Sequence, residues 1–292
     1  MRIFGFVLFA LAAPALSAGG PAAALPPSAF DYDKSLPLDV RQTVVETRGP
    51  MEIRDITFAN LSGGRTEAYL VGPKDGRKCA GVLFVHWYGD VDSNRTQFLK
   101  QAVELAPKGV VSLLIATMWS TPRWFENRNP ADDYDSSVRQ VKELRRALDV
   151  LITEPKVDPA RIAYVGHDFG AMYGAVLAGV ESRRVRAWAL QAGNDSFPAW
   201  FLLGRKLAGP ERQAVMDRLA PLDPVLYIGA AGAPVLFQFA RKDRYVTEEA
   251  ANAFFAAAKD PKTILWYDAS HALNAQAIED RQRWLVERLG LK

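Results

Sequence analysis

From Gly81 to the C-terminus, apolar runs of strand length alternate with stretches of helical period. The runs are Gly81–His86, Val110–Thr117, Arg161–Val165, Val185–Gln191, Pro234–Phe239 and Thr263–Tyr267, preceded by two of mixed pattern, Glu52–Phe58 and Glu67–Val71. The later runs are apolar at successive rather than alternate positions. A strand of that kind has both faces covered, which calls for helices above and below a largely parallel sheet. The intervening segments supply them. Asp135–Ile152 sets Val138, Val141, Leu144, Leu148 and Leu151 at steps of three and four, a stripe for one core face. Thr247–Ala258 opens on a capping-type residue, with Glu248 and Glu249 where the helix dipole favours anions. Ser93–Ala106 and Ala275–Leu289 complete the set. The expectation is one doubly wound α/β domain over residues 51–292. In open sheets of this kind ligands sit beyond the carboxyl ends of the strands.

Composition narrows the chemistry. Lys plus Arg is 36 and Asp plus Glu 33, a net charge of +3, too small and too evenly spread for a nucleic-acid surface. The single cysteine, Cys79, excludes a disulfide framework and a zinc site of several thiolates. Three histidines exclude a histidine-rich metal site, leaving only a mixed carboxylate site open. No metal or cofactor is implied; the expected partner is a small-molecule substrate. Residues 1–24 read as an export signal: Arg2, then an uncharged apolar core from Ile3 to Ala13, then small residues with cleavage after Ser17, Ala18 or Ala24. The mature chain is expected to be secreted or periplasmic, with no membrane span once the signal is removed. Residues 25–50, rich in Pro and polar residues, read as a lead-in segment.

After the run Arg161–Val165 the chain continues Gly166-His167-Asp168-Phe169-Gly170, then an apolar helical stretch to Val180. Glycines two residues before and two after a central residue, between strand and helix, form the nucleophile-elbow pattern. The central side chain projects from a strained turn, and the glycines leave room where backbone and helix crowd together. The usual central residue is Ser; here it is Asp168.

With these residues in view, the chain resembles the α/β-hydrolase superfamily over roughly residues 50–290. It is most similar to the dienelactone-hydrolase-like branch, through Ala147-Leu148-Asp149-Val150-Leu151 and Val157-Asp158-Pro159-Ala160-Arg161-Ile162 leading into the elbow. The resemblance implies an α/β-hydrolase fold: a mostly parallel, doubly wound sheet with flanking helices. About forty residues between Gln191 and Pro234 leave space for a short helical excursion through Trp200–Leu219, but for no large cap domain. The family order of nucleophile, acid, histidine carries the roles to Asp168, Asp243 just past Pro234–Phe239, and His271 after the last strand. The oxyanion hole is carried to Phe169 and to Trp87 and Tyr88, in a loop where the family's His-Gly becomes His86-Trp87-Tyr88-Gly89. Trp119 and Trp200 are assigned to the substrate pocket. His86 and His167 are read as supports for backbone.

An aspartate nucleophile changes the chemistry. With a reference pKa near ~3.9 it needs no base to ionise. Attack on a carboxylic ester would form a mixed anhydride, whose tetrahedral precursor expels the weakly basic Asp rather than the alkoxide. Attack on an sp³ carbon, with halide displacement or epoxide opening, leaves an alkyl ester that water activated by a histidine can hydrolyse. The expected activity is therefore a secreted hydrolase with an Asp-His-Asp triad, acting through an aspartyl ester on a small epoxide, halide or ester-like substrate. Two alternatives fit the same residues: a catalytically silent binding protein on this fold, and an esterase in which Asp168 serves as general base.

Overall fold

The computed structural model describes residues 22–89 and 94–291. Most of the expected export signal, and Ser93 at the expected start of a helix, lie outside the described residues. Nine strands run in chain order β1 Arg41–Arg48, β2 Met51–Ala59, β3 Arg65–Pro73, β4 Cys79–Val85, β5 Val110–Ile115, β6 Val157–His167, β7 Ala187–Gln191, β8 Val235–Ala240 and β9 Lys262–Tyr267. Eight α-helices accompany them among the described residues: α1 Leu99–Leu105, α2 Trp124–Asn127, α3 Asp133–Thr153, α4 Phe169–Val180, α5 Phe197–Phe201, α6 Gly209–Leu219, α7 Glu248–Ala257 and α8 Ala275–Arg288.

One sheet holds all nine strands in the order β1-β2-β3-β5-β4-β6-β7-β8-β9. The strands β1, β2, β3 and β5 pair antiparallel in turn; from β5 through β4 and β6 to β9 the pairing is parallel. The fully buried pattern of β4, β5 and β7 follows from their all-apolar runs. Successive residues of β4 serve opposite layers. Leu83 and Val85 join a core with α3, α4 and α7, whereas Val82 and Phe84 join one with α1 and α8. The fold is that of the α/β-hydrolases, with no separate large cap domain among the described residues. From β4 the chain winds one way to β5 and then returns to β6 on the other side. The carboxyl ends of β4 and β6 therefore flank the topological switch point, where a ligand crevice is expected.

Two expectations are corrected. The lead-in segment 25–50 is part of the domain. It contains β1 on the sheet edge and buries Phe30 completely in the larger core. Arg146 on α3 donates to the carbonyls of Leu36, Pro37 and Ala59, fixing a stretch with no hydrophobic period to reveal it. The first helix is shorter than expected, starting at Leu99. The helical excursion expected after β7 is present as two short helices, α5 and α6.

Candidate active site

The strand β6 ends at His167 and α4 begins at Phe169, so a single residue turns the chain. That residue, Asp168, has φ 56° and ψ −117°, a conformation L-residues avoid. The flanking glycines permit it by close approach. A Cβ on Gly166 would lie 2.2 Å from the carbonyl oxygen of Gly170, and one on Gly170 would lie 2.2 Å from that of Val85. The elbow expected from the Gly spacing is thus built by contact between β6, α4 and β4.

The Asp168 side chain lies on the wall of a cavity of about 770 Å³, with Trp87, Tyr88, Phe125, Phe169, Trp200 and Tyr245 as aromatic walls, His271 beside it, and Lys242 and Arg244 lining it as cations. One carboxylate oxygen, Oδ2, accepts the Tyr88 backbone N–H at 2.9 Å. The other, Oδ1, is buried with no hydrogen-bond partner among the described residues. Burial raises the Asp168 pKa to about 6, against the opposing pull of the His271 charge, the backbone N–H groups of Tyr88 and Phe169, and the Trp200 indole N–H.

His271 follows β9 and lines the same cavity. Its Nδ1 is 2.8 Å from Asp243 Oδ2. Asp243 is held in turn by the backbone N–H groups of Tyr245 and Val246, both donating to Oδ1 at 2.8 and 3.1 Å. Burial disfavours the His271 imidazolium, yet the Asp243 hydrogen bond and the charges of Asp168 and Asp243 outweigh it and raise its pKa. Burial disfavours the Asp243 carboxylate also, but the His271 bond and charge and the two backbone donors hold its pKa low. Three strand-end residues, Asp168, His271 and Asp243, thus lie together at one end of the sheet.

The loop after β4 has an internal logic. His86 Nδ1 is 2.7 Å from the Trp87 carbonyl oxygen and so carries the proton; Nε2 accepts from Ser120 Oγ at 2.8 Å and Thr117 Oγ1 at 3.0 Å. Burial lowers the His86 pKa to about 4, keeping the ring neutral. Holding the Trp87 carbonyl fixes the plane of the Trp87–Tyr88 peptide, whose N–H points at Asp168. Gly89 sits where the Trp87 indole folds back: a Cβ there would be 2.2 Å from the ring. The displaced glycine therefore makes room for the indole.

Two assigned residues require correction. The Trp87 backbone N–H donates to Gln97 Oε1 at 2.9 Å, so it is not a hole donor; its ring is a cavity wall. Trp119 does not line the cavity. It is buried behind it, stacked on Phe169 and Tyr173, with its indole N–H on the His86 carbonyl. Trp200, on the short helix α5, does line the cavity, with its ring 5.9 Å from that of His271. Sequence reasoning missed Gln97, Phe125 and Tyr245. Tyr245 stands edge-on to His271 at 5.2 Å, and its place two residues after Asp243 was the only available signal. Among the described residues no cluster of three His, Cys, Asp or Glu side chains is arranged to hold a metal ion, and no helix is long and apolar enough to cross a membrane.

Comparison with solved structures supports the fold across nearly the whole chain. Acetyl xylan esterase 1 from Thermoanaerobacterium sp. superposes with TM-score 0.74 at 16% identity, covering 92% of this chain and 95% of that one. An acetyl xylan esterase from Paenibacillus sp. R4 gives 0.73 at 18% identity, covering 90% and 92%. A candidate dienelactone hydrolase from Klebsiella pneumoniae gives 0.61 at 15% identity, covering 82% and 98%. No family model matches the sequence, and no curated protein matches it.

Proposed function

We propose that the protein is an exported hydrolase in which Asp168 is the nucleophile, His271 the base and Asp243 the residue that orients the base. The observation that carries this reading is the division of labour within one carboxyl group. Oδ2 is held by the Tyr88 N–H, while Oδ1 is buried at the cavity without a partner. A carboxylate so held presents one oxygen to an electrophilic carbon. Oδ1 forms the new C–O bond as the bond from carbon to halide or epoxide oxygen breaks and that atom takes the electron pair; halide departs, whereas an epoxide oxygen stays on the adjacent carbon and takes a proton from water. His271 then takes a proton from water, and the hydroxide adds to the Asp168 carboxyl carbon. Negative charge gathers on Oδ2, to which the Tyr88 N–H donates, and the nearby Phe169 N–H also favours a negative Asp168 carboxyl. Collapse breaks the bond from the Asp168 carboxyl carbon to Oδ1, which takes the proton from His271 and leaves as the alcohol oxygen; the water oxygen replaces it, and the regenerated carboxyl releases its proton to solvent. The export reading rests on the pattern of residues 1–24, and the aromatic walls suit a small organic substrate.

The raised Asp168 pKa favours a second reading, since a carboxylate titrating at about 6 is well matched to general-base attack of water on an ester. The esterase names of the structural neighbours are consistent with it. One experiment separates the two. A panel of epoxides, haloalkanes and short esters identifies a substrate, which is then incubated with His271→Ala and Asp168→Asn proteins. The nucleophile reading expects an adduct mapped to Asp168 in the first variant and none in the second, by intact mass and peptide mapping. Turnover by the parent without an adduct on His271→Ala at early times assigns Asp168 the general-base role. No turnover of any panel member would favour a silent binding protein.

A further inference from the structure

Two histidines meet at this site, and only one is in the triad. His167, the last residue of β6, has its ring 5.4 Å from that of His271 and is itself buried. Its Nε2 is 2.9 Å from the His271 backbone carbonyl oxygen, which can only accept, so Nε2 carries the proton. Its Nδ1 is therefore a lone pair, and the Gln97 side-chain amide donates to it at 2.6 Å. The same amide presents Oε1 to the Trp87 N–H at 2.9 Å. These three bonds agree on a single proton arrangement. An extra proton on Nδ1 would face the Gln97 NH₂ group. Turning the amide over would instead set that NH₂ against the Trp87 N–H. The Trp87 indole lies over both imidazoles, at 4.8 Å from His167 and 5.9 Å from His271.

We propose that Gln97 and His167 are positioning residues: a relay that ties the Trp87–Tyr88 loop to the backbone of His271 and keeps His167 neutral, so that of the two histidines only His271 exchanges a proton. The charged and titratable groups facing the pair are Asp168 from the elbow, Asp243 from the loop after β8 and Arg281 from α8, with Tyr245 edge-on to His271. Burial and the His271 charge both push the His167 pKa well down, consistent with this assignment. In naming His271 a base the proposal rests on the hydrolase reading; the titration it predicts does not.

The chain has three histidines, so ¹⁵N-histidine labelling of the full protein resolves each ring. The expected result is that His167 stays neutral and Nε2-protonated from about pH 5 to about pH 9 while His271 titrates with a midpoint above the ordinary histidine value. Gln97→Glu keeps the shape but offers an acceptor to both neighbours. It should let His167 become charged and lower the His271 midpoint by about half a pH unit, a change a space-filling role would not produce. A His167 that protonates together with His271, or carries its proton on Nδ1, would overturn the proposal. So would an unmoved His271 midpoint in a folded Gln97→Glu protein. If that variant does not fold, the parent spectrum alone decides. Neither readout requires a substrate, so failure here is distinguishable from failure of the hydrolase reading; with a substrate in hand, His167→Gln should lower kcat more than it raises KM.

Discussion

Asp168→Ser exchanges a carboxylate that ionises by itself for a hydroxyl that needs a base. His271 and Asp243 already form the pair such a hydroxyl requires, 2.8 Å apart, and the substitution frees the Tyr88 N–H, which donates to Asp168 Oδ2, to meet a substrate oxyanion. On the nucleophile reading, the variant should therefore hydrolyse short activated esters at least about tenfold faster than the parent while losing any activity on epoxides or haloalkanes. Release of a chromogenic leaving group measures the gain. A folded variant with no gain would indicate that the Tyr88 donor is misplaced for a substrate oxyanion. The position is legible in sequence because glycine spacing and neighbouring periodicities are local. The Tyr88 donor is not, since it depends on His86 gripping a carbonyl after the sheet has formed.

At the scale of elements, contact between α4 and β4 sets the elbow. Gly170→Ala would drive a Cβ into the Val85 carbonyl at 2.2 Å, where backbone must move. A loss of more than ~2 kcal/mol is expected by urea unfolding; a near-neutral result would mean that α4 can shift without cost. The segment before β1 behaves as an element too. Phe30 is fully buried in the core against Tyr227, with ring centroids 6.0 Å apart, and Arg145 and Arg146 bind the backbone around it. Phe30→Ala should cost about 3–5 kcal/mol in the same assay. A loss below ~1 kcal/mol would return residues 25–40 to the status of a detachable lead-in. Their attachment escaped the sequence because arginine bonds to main-chain carbonyls leave no periodic trace.

For the molecule as a whole, the site is a cost to folding. The fold raises the Asp168 pKa from 3.8 to about 6, so the folded state binds this proton more tightly than the unfolded chain. Stability from this group falls as pH rises through that interval and stays lower above it. Asp168→Asn removes the buried charge and should stabilise the protein by ~2 kcal/mol at about pH 8, with almost no gain at about pH 4. Chemical denaturation at both values tests it. A gain of equal size at both would mean that ionisation is not its source.

The architecture and the order of the chemical groups were readable along the chain alone. Apolar runs that need cover on both faces dictate a parallel sheet under helices, and the periodicities are readable without knowing any partner. The elbow, Asp243 and His271 were legible for the same reason, each being marked by its place at a strand end. Tertiary structure alone decided what surrounds them. Trp119 and Trp200 are equally aromatic in sequence, yet one supports Phe169 from behind and the other lines the cavity. Gln97 lies seventy residues from His167, and no local pattern announces a bond between them. Residues joined only when β4 and β6 come to lie side by side obey no spacing rule, because the distance along the chain is set by the crossovers between strands rather than by the chemistry they bring together.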